Sequence, residues 1–101
     1  MFIYNVTTKV DWSIHDAWVK WMLEIHIPEV LATGCFDDAK LVRLLEIDEE
    51  DGPTYAAQYH APSKAIYNSY LDKHAPELRE KANAEWGNKF IAFRTLMQVV
   101  N

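Results

Sequence analysis

KFIAFRTLMQVV (residues 89–100) is the stretch on which the fold turns. Read as a strand, it sets Ile91, Phe93, Thr95, Met97 and Val99 on one face. Phe90, Ala92, Arg94, Leu96, Gln98 and Val100 occupy the other. A strand with one wetted face alternates cleanly between apolar and polar residues, and this one is largely apolar on both. It predicts a strand covered on two sides, and so a sheet with a layer above and a layer below.

Working back along the chain, Gly87 stops a helix whose apolar positions are Leu78, Ala82 and Trp86. Pro76 suits the first turn of that helix, because a proline has no amide to lose there. Before it, Ser63 caps a helical run with the stripe Ile66, Tyr67, Tyr70, Leu71 and His74. Thr54 to Ala61 and Phe36 to Ile47 read as two strands of a hairpin. The acidic turn Asp48-Glu49-Glu50-Asp51-Gly52-Pro53 joins them. Upstream, Ser13 opens a helix with Asp16 as its capping-box partner. Ile14, Ala17, Trp18, Trp21, Met22 and Ile25 then draw one apolar stripe. Pro28 should break or bend that helix at His26-Ile27-Pro28. Glu29 to Thr33 adds a turn that Gly34 ends in a left-handed conformation. Phe2 to Val10, rich in β-branched and aromatic residues, is the first strand.

The order βαββαβ is the split βαβ pattern of an α+β, ferredoxin-like domain spanning residues 1–101. Right-handed crossovers place both helices on one face of a four-stranded antiparallel sheet, with the first and third strands central. One chain has no second layer for the other face. A second copy could supply it, which predicts a homodimer of the dimeric α/β-barrel kind, closed around a cavity.

Composition narrows the function classes. The chain has 101 residues and a formal net charge of −5, with a pI of about 5.2. That balance argues against nucleic acid or an anionic membrane surface as the main partner. A single cysteine, Cys35, cannot form an internal disulfide, which fits a reducing compartment. No apolar run approaches the roughly 20 residues of a membrane span, and the N-terminus lacks a signal-peptide layout. The expected location is the cytoplasm. The four histidines lack metal-ligand spacing, and three separated glycines cannot form a phosphate loop. No cofactor or metal is therefore expected. Cys35 follows Gly34 with no adjacent base, which argues against a nucleophilic role.

If Tyr4 and Val6 face the helices, Asn5 faces away from them, and Gln58 does so on the third strand. Placing Arg94 with them brings a polar trio together on the helix-free face, within an apolar cavity of the kind that binds small molecules. A buried guanidinium needs a partner: an anionic ligand, or a structural ion pair with Glu46 or the dimer mate. His26 stands beside the stripe that carries Trp18 and Trp21. There it can act as an acid or base near neutral pH, or simply favour the negative end of a helix. Asn5 and Gln58 can bind a polar group or satisfy one another across adjacent strands. Trp18, Trp21, Tyr67, Tyr70 and Trp86 lie at helical spacing, which is as much a core pattern as a pocket wall.

The chain resembles a family of short bacterial proteins with no assigned activity. They share an opening close to Tyr4-Asn5-Val6-Thr7, the segment His26-Ile27-Pro28-Glu29-Val30-Leu31-Ala32-Thr33-Gly34, and an ending close to Ala92-Phe93-Arg94-Thr95. The arrangement is also similar to dimeric α/β-barrel proteins, among them cofactor-free monooxygenases, dehalogenases and lactone isomerases. Some members, such as the ethyl-tert-butyl-ether-degradation-like proteins, carry a His-x-Pro that His26-Ile27-Pro28 matches. The resemblance supports the fold. The polar trio on an apolar sheet face is what points to a small aromatic or anionic ligand, with His26 and Arg94 as catalytic residues and Asn5, Gln58, Trp18, Trp21 and Arg94 as ligand-binding ones. The competing expectation is a non-catalytic dimerisation module without a ligand, and a shared fold does not choose between them.

Overall fold

The structure, a computed structural model of residues 1–101, is built on a four-stranded antiparallel sheet. Its strands are β1 (Phe2–Val10), β2 (Asp38–Arg43), β3 (Thr54–Ala61) and β4 (Phe90–Gln98), in spatial order β2-β3-β1-β4. Four α-helical segments, α1 (His15–Trp21), α2 (Ile27–Ala32), α3 (Lys64–Lys73) and α4 (Ala75–Trp86), connect them. This is the expected ferredoxin-like α+β topology, with β1 and β3 inside. No helix is long and apolar enough to cross a membrane.

The helix-side face of the sheet carries the core. Tyr4 and Val10 of β1 and Ala57, Tyr59 and Ala61 of β3 are buried against Trp18, Met22, Val30, Tyr70 and Leu78 of the helical layer. Tyr4 is the hub: the rings of Phe36, Tyr59, Tyr67 and Tyr70 lie with centroids between 5.5 and 6.0 Å from its own. Tilted and offset rings at such separations attract one another beyond the area they bury. Much of the heavy aromatic content is spent here.

The first helical stretch departs from expectation at both ends. Asp11, not Ser13, is the cap: its carboxylate accepts the Ser13 amide at 2.8 Å. That places Ser13 inside an opening 3-10 turn, Trp12–Ile14. Nor does Pro28 break the helix. Met22–His26 forms a π-helical turn in which the Ile27 amide reaches back to the Met22 carbonyl, and Pro28 falls in the first turn of α2. A proline is tolerated there because its missing amide would have no partner anyway, and the wider turn absorbs its ring. Helix therefore runs through His26 to Ala32.

The remaining caps agree with the sequence. Ser63 Oγ accepts the Ile66 amide at 3.2 Å, and α4 ends at Gly87 with φ +58°. Strand β2 is shorter than the Phe36–Ile47 run implied. Phe36 packs into the core ahead of it, and beyond Arg43 the chain turns outward, with Leu45 75% exposed and Glu46 at φ 59°. The returning turn crosses the end of β1. A Cβ on Gly52 would lie 1.7 Å from the Val10 carbonyl oxygen, so only glycine allows this approach. The neighbouring Pro53 carbonyl accepts the Val10 amide at 3.0 Å.

Register corrects one central expectation. Strand β4 pairs with β1 so that Arg94 lies opposite Val6 and Thr95 opposite Asn5. Directly opposed residues share a face, so Arg94 is on the helix side with Phe90, Ala92 and Leu96. Ile91, Phe93, Thr95 and Met97 take the helix-free side. Both faces of β4 are apolar, so alternation alone could not say which one met the helices. In the single chain the helix-free side leaves Ile91 60% and Phe93 66% exposed.

Candidate functional site

The enclosed space in this protein lies between helices and sheet. A cavity of about 60 Å³ opens there, lined mostly by apolar side chains. Strand residues Val6, Thr8 and Ala92 form its floor, and Trp18, Trp21 and Trp86 stand along its helical wall. His26 and Arg94 line it as well. The site expected on the helix-free face is thus split: four of the six predicted residues, His26, Arg94, Trp18 and Trp21, meet in this cavity, while Asn5 and Gln58 remain on the opposite side of the sheet.

The π turn is what presents His26. It directs the imidazole against the indole of Trp21, ring centroids 4.7 Å apart and 19° from parallel, and Trp21 meets Trp86 edge-on at 5.7 Å. Because the helix continues past His26, this histidine is not a C-terminal dipole residue. Burial among these rings pulls its pKa below the ordinary value, Arg94 pulls it the same way, and Glu29 partly opposes both. Charging the ring would mean losing water without gaining a close counter-ion. A neutral imidazole at pH 7 is equipped to take a proton.

The charge balance of the cavity is one-sided. In a chain of net charge −5, two arginines, Arg79 and Arg94, line the cavity and no carboxylate does. Neither joins an ion pair: the acidic partners in the structure go to Lys9, His15, Arg43 and Lys81. Glu46, the expected mate of Arg94 within the chain, is not among them. Arg79 donates from Nη2 to the Tyr4 hydroxyl at 3.2 Å. Its Nε and the Trp86 indole Nε1 are buried and find no acceptor in the protein. Burial also raises the pKa of Tyr59 and Tyr70 well above the ordinary phenol value, so both hydroxyls keep their protons.

On the helix-free face, Asn5 and Gln58 are direct cross-strand neighbours, but they do not satisfy one another. The Asn5 amide donates along its own strand to Thr7 Oγ1 at 2.9 Å. With Lys40 opposite Gln58 and Thr95 opposite Asn5, they form a polar row across the sheet. The row is bordered by Val42, Ala56, Thr7 and Phe93. No group of three His, Cys, Asp or Glu side chains converges as a metal site.

Arg79 is the functional candidate that sequence reasoning missed. Its signal was its spacing: Arg79, Ala82 and Trp86 are three, four and seven positions apart, so they share one helix face. A cation continuing an apolar stripe is unusual enough to mark.

Solved structures with this architecture are similar over essentially whole chains. An ethyl tert-butyl ether degradation family protein from Bacillus halodurans matches with TM-score 0.68 and 11% identity, covering 99% of this chain and all of its own. An antibiotic biosynthesis monooxygenase matches with TM-score 0.63 and 15% identity, covering all of both chains. A dimeric ferredoxin-like protein from an uncultured marine organism gives 0.61 and 11%, over 99% and 95%. At such identities the likeness is one of fold. No curated protein sequence matches the chain. A family model described as a domain of unknown function, DUF4286, matches residues 1–100, and the chain belongs to that family.

Proposed function

We propose that this protein is a cytoplasmic homodimer that binds a small anionic or aromatic molecule in the helix-side cavity of each subunit. There it performs proton-transfer chemistry of the cofactor-free isomerase or monooxygenase type. The observation that carries this reading is His26 and Arg94 lining one apolar cavity, the first held neutral and the second free of any carboxylate within the chain. Neutral His26 takes a proton from the bound molecule. Arg94, which lines the cavity but is exposed in the single chain rather than buried as the sequence suggested, supplies the positive charge for the oxyanion or enolate this creates. Trp21 holds the imidazole in place by stacking.

The dimer rests on the helix-free face. Ile91, Phe93 and Val42 are exposed there, on a sheet that no other part of the chain covers. A solved ferredoxin-like relative in fold is described as dimeric, and pairing two such faces supports the same arrangement here.

The test is a titration of the purified protein with a panel of carboxylic acids and quinols, followed by intrinsic tryptophan fluorescence. Saturable binding that Arg94→Gln weakens at least about tenfold supports the reading, since a hydrogen bond to a charged group contributes about 1.5–3 kcal/mol. Equal binding by wild type and variant overturns it.

A second reading is a non-catalytic dimerisation module. It is favoured by the size of the cavity, about 60 Å³ against the several hundred typical of ligand pockets. It predicts that Arg94→Met leaves every titration flat while changing stability.

A further inference from the structure

The cavity is small, it is lined by two arginines and no carboxylate, and two of its lining residues carry unpartnered donors; these three properties together name a ligand class. We infer that its ligand is a short-chain carboxylic acid, bound as the carboxylate between the Trp86 indole N–H and the Nε–H of Arg79, with Arg94 supplying further positive charge. This rests on the reading of the cavity as a binding site and states what that site selects.

Trp86 Nε1 and Arg79 Nε are buried without any protein acceptor, and both residues line the cavity. A buried N–H left without a partner is costly, and two such donors on residues that line one cavity mark a place where an acceptor belongs. An indole N–H can only donate, and so can every nitrogen of a guanidinium. The group that meets them must offer acceptors to both: a carboxylate presents two oxygens and a charge that answers the arginines, whereas an amide presents one oxygen beside an NH₂ that only donates. The sign of the charge agrees. Arg79 and Arg94 face the cavity with no carboxylate beside them, although the chain as a whole carries −5.

Geometry adds the rest. Arg79 and Trp86 are seven residues apart on α4, two turns along one face, so their side chains border the same strip of the wall. The Arg79 guanidinium is held by Nη2 on the Tyr4 hydroxyl, 3.2 Å away, and Tyr4 itself lines the cavity. The Trp86 ring is braced edge-on against Trp21 at 5.7 Å. Through Trp21 that wall joins His26, whose stacked, neutral imidazole suits it to act on the carbon chain rather than to pair with the acid group. A cavity of about 60 Å³ admits a short chain and not a polycyclic ring system.

The experiment is a titration of ¹⁵N-labelled protein with propionate and, separately, propionamide, at pH 7 and constant ionic strength. It is followed at the four indole N–H signals, of which Trp86→Phe identifies one by its loss. Propionate should shift the Trp86 signal saturably, and propionamide should bind at least about tenfold more weakly, the cost of presenting a donor to a donor. Trp86→Phe keeps the ring and removes only the N–H. Read at the Trp21 signal, it should weaken propionate about tenfold, as should Arg79→Gln, with far-UV circular dichroism unchanged. Propionamide binding as tightly as propionate, with both still lost in Arg94→Gln, overturns the acid class but leaves the cavity a binding site. Propionate binding unaffected by Trp86→Phe and by Arg79→Gln assigns those donors to water and overturns the inference. Failure of any acid, amide or quinol to bind overturns the inference and the underlying reading together.

Discussion

The two faces of the sheet are made from the same four strands and behave as different surfaces. Under the helices, Tyr59 is 2% exposed and Ala61 fully buried, and a ring of aromatics closes around Tyr4. On the other face a polar row through Gln58, Asn5 and Thr95 runs beside exposed Phe93 and Ile91. The helix side is finished within one chain, down to a cavity with its own charge. The bare side is a half-built layer. Polar residues that look like one constellation in the sequence are divided between them: Arg94 lines the cavity, while buried Asn5 and half-buried Gln58 lie on the opposite face.

Substitutions on each face should therefore fail in different ways. Tyr59→Ala removes a fully packed ring from the covered side and should cost about 3–5 kcal/mol in urea denaturation. A loss below about 1 kcal/mol would mean the core is centred elsewhere. Phe93→Glu, on the bare side, should weaken self-association by about 2 kcal/mol or more, the range of an interface hot spot. Sedimentation would show a dimer becoming a monomer with circular dichroism intact. A variant as dimeric as the wild type would show that this face is not the interface.

Smaller effects sharpen the division. Asn5→Leu breaks the bond to Thr7 and should move stability by no more than about 1 kcal/mol, with acid binding unchanged. Weakened binding in that variant would contradict the assignment of Asn5 to the far face. The smallest expected effect comes from His26. Its folded pKa lies below the ordinary value of 6.5, so the unfolded chain binds more protons in that range. The contribution of the neutral ring is then full above about pH 6.5 and declines as pH falls through the folded pKa. Comparing urea midpoints at pH 7.5 and pH 5 should show a fall in wild type that is shallower in His26→Gln. Equal slopes would place the imidazole in water.

Much of the fold was legible because its signals are local. β-branched runs, the Ser63 cap, Pro76 at a helix start and Gly87 at a helix end each act within a few residues, and the order of elements then restricts the topology to a ferredoxin-like sheet. The local signals failed where two devices competed for one task. Asp11 and Ser13 could both cap the first helix, and the carboxylate two residues upstream took the amide. Pro28 could end a helix or begin one, and a π turn converted the first into the second.

The site was legible in its residues but not in its place. His26, Trp18 and Trp21 share a helical stripe, so their proximity follows from a period of 3.6 residues. Arg94 is carried by a strand whose two faces are equally apolar, and a shift of one residue in register moves it to the other side. Only pairing with β1, Val6 against Arg94, decides that. The sequence by itself determined the elements, their order and the chemical groups at hand. The tertiary structure decided which face of β4 meets the helices, and with it that two arginines and a neutral histidine surround one cavity. The reason is physical: periodicity specifies which residues move together, whereas register specifies what they move against.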